Sequence, residues 1–258
     1  MSGSDRPLLE VRELRHQYGS HEVIGGINLS LTPGEFVAIV GPSGAGKTTL
    51  LRTLSGLLRP TSGDIFMHGE KVDSVPSELA MVFQDYSRSL FPWMTVAANV
   101  NFPLRRMRQL SKAERAERVR ESLESVGLAG TERKYPWQLS GGMQQRVAIA
   151  RALAYRPSVL LMDEPFASVD AQTRMDLEDL ILRVWETHPM TVLFVTHDID
   201  ESVYLSQRVL VLSKSPTRVV RDIAVPLPRA RDQFATKALP EFAALREEIA
   251  GHILGRTT

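Results

Sequence analysis

The most constraining stretch of the 258-residue chain is "FVAIVGPSGAGKTTLLRTL", Phe36 to Leu54, in which an apolar β-branched run, a glycine-rich octet and a helical pattern follow one another without a gap. The octet, Gly41 to Thr48, fits G-x-x-x-x-G-K-[ST], and a strand before it and a helix after it form the setting in which that pattern holds phosphate. Gly41, Gly44 and Gly46, with Pro42, Ser43 and Ala45 between them, let the backbone wrap an anion so that successive N–H groups face it. Lys47 is placed to reach the β- and γ-phosphates of ATP, and the Thr48 hydroxyl, with Thr49 beside it, to ligate Mg²⁺.

Other short apolar runs read as strands: "AMVF" (Ala80 to Phe83), "SVLLMD" (Ser158 to Asp163), "TVLFVTH" (Thr191 to His197) and "RVLVL" (Arg208 to Leu212). Several lack polar alternation, as expected where a sheet is covered on both faces, and helical patterns lie between them, so the core is α/β. Between Asp85 and Arg156 strand signals vanish. Ser111 with Glu114 forms a capping box, Ala116, Val119, Leu123 and Val126 follow at helical spacing, and Gly127 is placed to end the helix. This stretch, about 86–156, is expected as a helical subdomain inserted in the core. A Pro- and Arg-rich tail follows, and a terminal helix is expected from about Leu239 to Leu254.

Two further strand ends carry polar groups. "LLMDEP" places Asp163 and Glu164 at the end of an apolar strand, one carboxylate for the metal and the other for a water attacking the γ-phosphate. His197 ends "FVTH" and Gln84 ends "AMVFQ", so that both are expected at the carboxyl edge of the sheet, where ligands bind. The Gln84 amide could reach Mg²⁺ or the lytic water. Tyr18, in "LRHQYGS", offers either an aromatic face to adenine or an ordinary half-buried tyrosine.

A second possible anion site precedes another helical pattern: "LSGGMQQR", Leu139 to Arg146, roughly 90 residues beyond the first loop. Together with "GPSGAGKT" and "LLMDEP" it resembles the nucleotide-binding subunits of ABC transporters, over roughly Leu8 to Arg229. The resemblance implies a P-loop NTPase (RecA-like) core with an N-terminal antiparallel β-subdomain and the inserted helical subdomain, spanning 8–229, with a C-terminal tail at 230–258. It further implies that Tyr18 stacks on adenine, that Gln84 senses metal and permease, that Glu164 is the catalytic base and that His197 contacts the γ-phosphate. Asp170 would be the acid of the loop crossing a dimer interface, although "ASVD" (Ala167 to Asp170) stands where the family usually has "SALD" or "GALD", which predicts altered packing rather than lost activity. Two copies would pack head to tail, with Ser140, Gly141 and Gly142 of one capping the ATP held by the other.

"SRSLFPWMTVAANV" (Ser87 to Val100) and "RVVRDIAVPLPRARD" resemble the cassettes of the nitrate, sulfonate, taurine and bicarbonate importer group. In such proteins Phe91, Pro92, Trp93 and Met94 would meet a separate membrane permease at the cytoplasmic face of the inner membrane, with a periplasmic or extracellular solute-binding protein acting indirectly. Phe91 and Trp93 also fit a role in the subdomain core. The basic stretch Arg105 to Arg120, seven Arg or Lys against two Glu, reads as a solvated face or a contact for anionic headgroups.

Several classes are excluded. The N-terminus carries no signal-peptide pattern and no apolar run approaches the ~20 residues of a membrane span, so the chain is expected to be neither exported nor membrane-spanning by itself. A net charge of +1 gives no global field toward nucleic acid, and the lack of cysteine removes disulfides and thiolate chemistry. A DNA-repair ATPase would need long heptads between the two loops, a translation-type protein a second set of motifs, and a purely regulatory ATP-binding module would have no use for Glu164 and His197.

Overall fold

The computed structural model describes residues 6–85 and 89–255. Two sheets form its framework. The first is antiparallel, built from β1 (Leu9–Tyr18), β2 (His21–Leu31), β4 (Ser62–Met67) and β5 (Glu70–Lys71) in the order β2-β1-β4-β5. The second joins β3 (Phe36–Val40), β6 (Leu79–Val82), β7 (Val159–Asp163), β8 (Thr191–Val195), β9 (Arg208–Leu212) and β10 (Val219–Ala224) in the order β10-β9-β3-β8-β7-β6. All its neighbours are parallel except β10, which runs antiparallel to β9.

The helices are α1 (Lys47–Leu54), α2 (Val96–Asn101), α3 (Lys112–Ser125), α4 (Gly141–Ala154), α5 (Ala171–Thr187), α6 (Ile199–Leu205) and α7 (Pro240–Leu254). Between β6 and β7 the regular elements of the described residues are all helical, α2 to α4 with two short 3₁₀ turns. The capping box of α3 forms as the spacing predicts: Ser111 Oγ accepts from the Glu114 N–H at 3.2 Å, and Glu114 Oε2 accepts from the Ser111 N–H at 2.7 Å.

The apolar strands of the second sheet bury both faces, which is why they lack polar alternation. Phe36, Ala38 and Val40 face a core shared with Phe166, Leu177, Val203 and Phe242 from the helical side. Val37 and Ile39 face the other way, onto Leu50 and Leu54 of α1 and onto Leu9, Leu14 and Ile27 of the antiparallel sheet. The P-loop strand is therefore the common wall of two cores.

The antiparallel sheet is irregular in the middle of β1. Its register slips on both sides of β1 between Val11 and Arg15, and Glu13 there has φ +48°. Gly63 fits against this bulge with φ +87°, and a Cβ on it would lie 2.3 Å from the Glu13 carbonyl oxygen. Gly63→Ala is expected to cost about 3 kcal/mol, adding backbone strain to a clash with main chain, and to lower the melting temperature by several degrees in calorimetry. An unchanged melting temperature would show that the bulge yields.

Candidate functional site

Four adjacent parallel strands deliver the site. In the order β3-β8-β7-β6 their carboxyl ends lead into Gly41, His197, Glu164 and Gln84. Two of these residues sit differently from expectation. β8 ends at Val195 and β6 at Val82, so His197 and Gln84 lie in the loops two residues beyond their strands. At β8 the turn has a local cause: the Thr196 hydroxyl donates to Glu201 at 2.6 Å and accepts from the Asp198 N–H at 3.0 Å, pulling the chain into α6.

α1 starts at Lys47 behind Gly46, which is left-handed at φ 75° and provides no side-chain cap. Helices α2 to α6 begin with the capping side chains Thr95, Ser111, Ser140, Asp170 and Asp198. The first N–H groups of α1 are thus left to an anion, as a phosphate-binding helix requires. A side chain at Gly46 would meet Val23 at 2.6 Å, and one at Gly41 would press on Leu212 at 3.0 Å.

Lys47 is buried, its Nζ donating to the carbonyls of Gly41 at 3.0 Å and Pro42 at 3.3 Å, and lies 3.7 Å from Glu164 Oε1. The other carboxylate oxygen of Glu164 accepts from His197 Nδ1 at 2.9 Å and Gln84 Nε2 at 3.4 Å. A carboxylate only accepts, so the His197 proton sits on Nδ1 in this contact. Glu164 itself has φ +41°, a left-handed position rare for a non-glycine residue, and its N–H donates to the Val195 carbonyl at 2.8 Å. Three donors, from the start of α1 and from two loops, thus converge on one carboxylate whose backbone is tied to the neighbouring strand.

Thr48 Oγ1 donates to Asp163 Oδ1 at 3.3 Å. Burial raises the Asp163 carboxyl above the usual carboxylate range, an effect the Thr48 hydrogen bond opposes, so a cation at this point would stabilise its ionised form. The pair suits Mg²⁺, which takes hard oxygens from one or two side chains and completes its shell with phosphate and water.

Tyr18 is 51% exposed, and His16 meets its ring edge-on with centroids 4.7 Å apart. Ser140 caps α4, accepting from the Met143 N–H at 3.3 Å, which leaves its hydroxyl proton and the N–H groups of Gly141 and Gly142 to serve another acceptor. Asp170 caps α5 through the N–H and hydroxyl of Thr173, and these contacts hold its carboxyl below the usual range. Gly142 touches the same threonine: a Cβ on it would lie 2.5 Å from Thr173 Cγ2. Ser140 and Asp170 are therefore on joined elements but are not among the groups gathered at Lys47.

A cluster the sequence reading missed lies behind His197. Asp198 caps α6, accepting from the N–H groups of Asp200 and Glu201, and pairs with Arg174 of α5 at 3.4 Å. Glu201 lies 3.6 Å from the same arginine, and its burial pushes the carboxyl up to about 7. The motif "HDIDES" carries a helix-cap signal, but its partner Arg174 is far away in sequence.

The family model for "ABC transporter" matches residues 24–167. The chain belongs to the ABC transporter ATP-binding family. It is 42% identical, over 97% of its length and 96% of the relative's, to the nitrate import ATP-binding protein NrtD of Synechocystis. It is 41% identical to the bicarbonate transport ATP-binding protein CmpD of Synechococcus elongatus, over 93% and 88% of the two chains. Among solved structures, cbiO1 of Clostridium perfringens, part of an ABC transporter complex, superposes with a TM-score of 0.79 at 30% identity, covering 97% of this chain and all of the other. A dimeric cassette in a post-hydrolysis state with ADP and phosphate gives 0.73 at 32% identity, covering 84% of this chain and 98% of that one. This ABC cassette is an ATPase, and its fold is the one the two loops implied.

Proposed function

We propose that this cassette is the ATP-hydrolysing subunit of an importer for a small solute of the nitrate, sulfonate, taurine or bicarbonate type. Two copies work on a separate permease at the cytoplasmic face of the inner membrane, supplied by a periplasmic or extracellular solute-binding protein. The observation that carries the reading is the convergence of Lys47, Gln84 and His197 on Glu164 beside the Thr48–Asp163 pair. Donors that meet on a carboxylate can equally meet on a γ-phosphate, and the carboxylate is then left adjacent to the attacking water.

In this mechanism Lys47 and the N–H groups of α1 hold the phosphates, while Tyr18 offers its ring to adenine. Glu164 accepts the proton of the water, and His197 and Gln84 orient the groups around it. Mg²⁺ bound by Thr48 and Asp163 would neutralise charge on the β- and γ-phosphates. Ser140, Gly141 and Gly142 reach the γ-phosphate of a second copy, and Asp170 lies at the crossing between copies. Only the γ-phosphate bridges both copies, so ATP favours the closed pair and ADP does not.

For the permease the cassette offers a groove of about 570 Å³ lined by Met81, Phe83, Phe91, Phe102, Arg151 and Tyr155. Trp93, at 70% exposure, stands beside it with its ring 5.6 Å from Phe91, whereas Phe91 is partly buried and meets Phe102 in a tilted pair at 4.6 Å. Trp93 is thus a surface anchor rather than core, and Ser87 and Arg88, which begin the segment, lie outside the described residues. No helix among the described residues is long and apolar enough to cross a membrane.

The test uses a permease that co-purifies with this chain, reconstituted with it in proteoliposomes. Trp93→Ala is expected to leave the basal ATPase rate and melting temperature unchanged and to weaken permease stimulation by roughly tenfold, as for an aromatic interface anchor. Full stimulation of the variant would remove Trp93 from the interface, and a wild-type rate indifferent to any permease would contradict the importer reading.

A further inference from the structure

The tail beyond the P-loop core is tied to the element that carries His197. The Arg231 guanidinium donates to the carbonyls of Pro228 at 2.7 Å, Val203 and Tyr204 at 2.9 Å each, and Ser206 at 3.0 Å. Three of these belong to the last turn and end of α6, the carbonyls that a helix leaves without intrahelical partners, and a cation there also suits the helix dipole. Buried Gln233 bridges to α5, its Nε2 donating to Asp179 at 2.9 Å, Glu178 at 3.0 Å and the Met175 carbonyl at 3.3 Å. Tyr204 of α6 donates to the same Asp179 at 2.8 Å. Lys237 completes the brace, 3.3 Å from Glu178 and 4.8 Å above the Tyr204 ring.

The helix so held is short. α6 has seven residues, far below the ~12 at which a helix begins to hold itself, so its place depends on its surroundings. At one end Arg174 grips Asp198 and Glu201, and at the other Arg231 grips the terminal carbonyls. Phe242, Leu245 and Ile249 of α7 pack into the core that holds Val203, Tyr204 and Leu205. His197 immediately precedes the Asp198 cap, and its own ring is 62% exposed, with Glu164 as its hydrogen-bond partner. The exposed imidazole has little packing of its own to fix it, so α6 sets where it stands.

We infer that Arg231, supported by Gln233 and Lys237, is a positioning residue for His197: the tail braces α6 against α5 and so holds the imidazole where the γ-phosphate is read. This rests on the reading of His197 given above. The tail's side-chain hydrogen bonds, ion pairs and ring contacts to the rest of the chain, among the described residues, run to α5 and to α6 and its end, away from Lys47, Thr48 and Tyr18, so the brace is expected to act on turnover and leave ATP binding alone.

The test is a double-mutant cycle on the full-length chain with steady-state ATPase kinetics. Arg231→Met is expected to lower kcat roughly tenfold with KM for ATP changed less than about twofold, and to cause no further loss in a His197→Ala background, because coupled residues are not additive. Should Arg231→Met fail to fold, Gln233→Leu, which keeps the volume and removes the three donor contacts, carries the same cycle. Wild-type kcat in the tail variant, or the same fractional loss with and without His197, overturns the inference. Wild-type turnover in His197→Ala alone overturns the reading of His197, and with it the brace.

Discussion

Glu164→Gln is expected to bind ATP as the wild type does while turnover falls by roughly 10²-fold or more, the range for removing a general base. The substitution keeps the shape and an acceptor oxygen for His197 and Gln84 but removes the negative charge and the capacity to take a proton. Lys47 keeps its contacts to the Gly41 and Pro42 carbonyls, so the phosphate cradle survives. The left-handed backbone at Glu164 constrains the replacement no more than the original, since both carry the same Cβ. Phosphate release and nucleotide binding, measured on one preparation, separate the two effects. Turnover at the wild-type rate would remove Glu164 from the base role and leave the convergence on it as an ion-pair network alone.

Ser140→Arg is expected to leave ATP binding by the single chain nearly intact while abolishing ATP-driven pairing and hydrolysis. Ser140 is exposed at the start of α4 and its intramolecular task is the cap on Met143. Losing that cap costs about 1 kcal/mol, too little to unfold a domain of this size. The arginine would project from the surface that a second copy must approach, where its volume blocks the close fit that the glycines at 141 and 142 permit. If binding by the single chain collapses instead, Ser140 belongs to its own site and the head-to-tail arrangement is wrong.

What the sequence made legible was local. The P-loop, the capping box at Ser111 and Glu114, and the terminal helix, expected from about Leu239 and found from Pro240, each depend on residues within a few positions of one another. The convergence on Glu164 was legible in part, because strand ends were marked by Asp163, His197 and Gln84, but the exact ends were not. Thr196 leaves β8 to meet Glu201, a side-chain contact that no strand propensity reports. The tail brace was invisible for a similar reason: Gln233 meets Glu178 across 55 positions, and neither residue belongs to a pattern. The contact of Gly142 with Thr173, which ties the start of α4 to the Asp170 cap, is also a product of folding, although Gly142 and Asp170 each stood in a motif already singled out.

The central claim is that the serine and two glycines at 140–142 serve the ATP of a second copy. Light scattering on Glu164→Gln with saturating ATP and Mg²⁺ tests it most directly, because the slowed variant holds the ATP-bound state. The account predicts the mass of a dimer, reverting to the mass of one chain when Ser140→Arg is added or ADP replaces ATP. A single-chain mass for Glu164→Gln with bound ATP, or a dimer that survives Ser140→Arg, would contradict it.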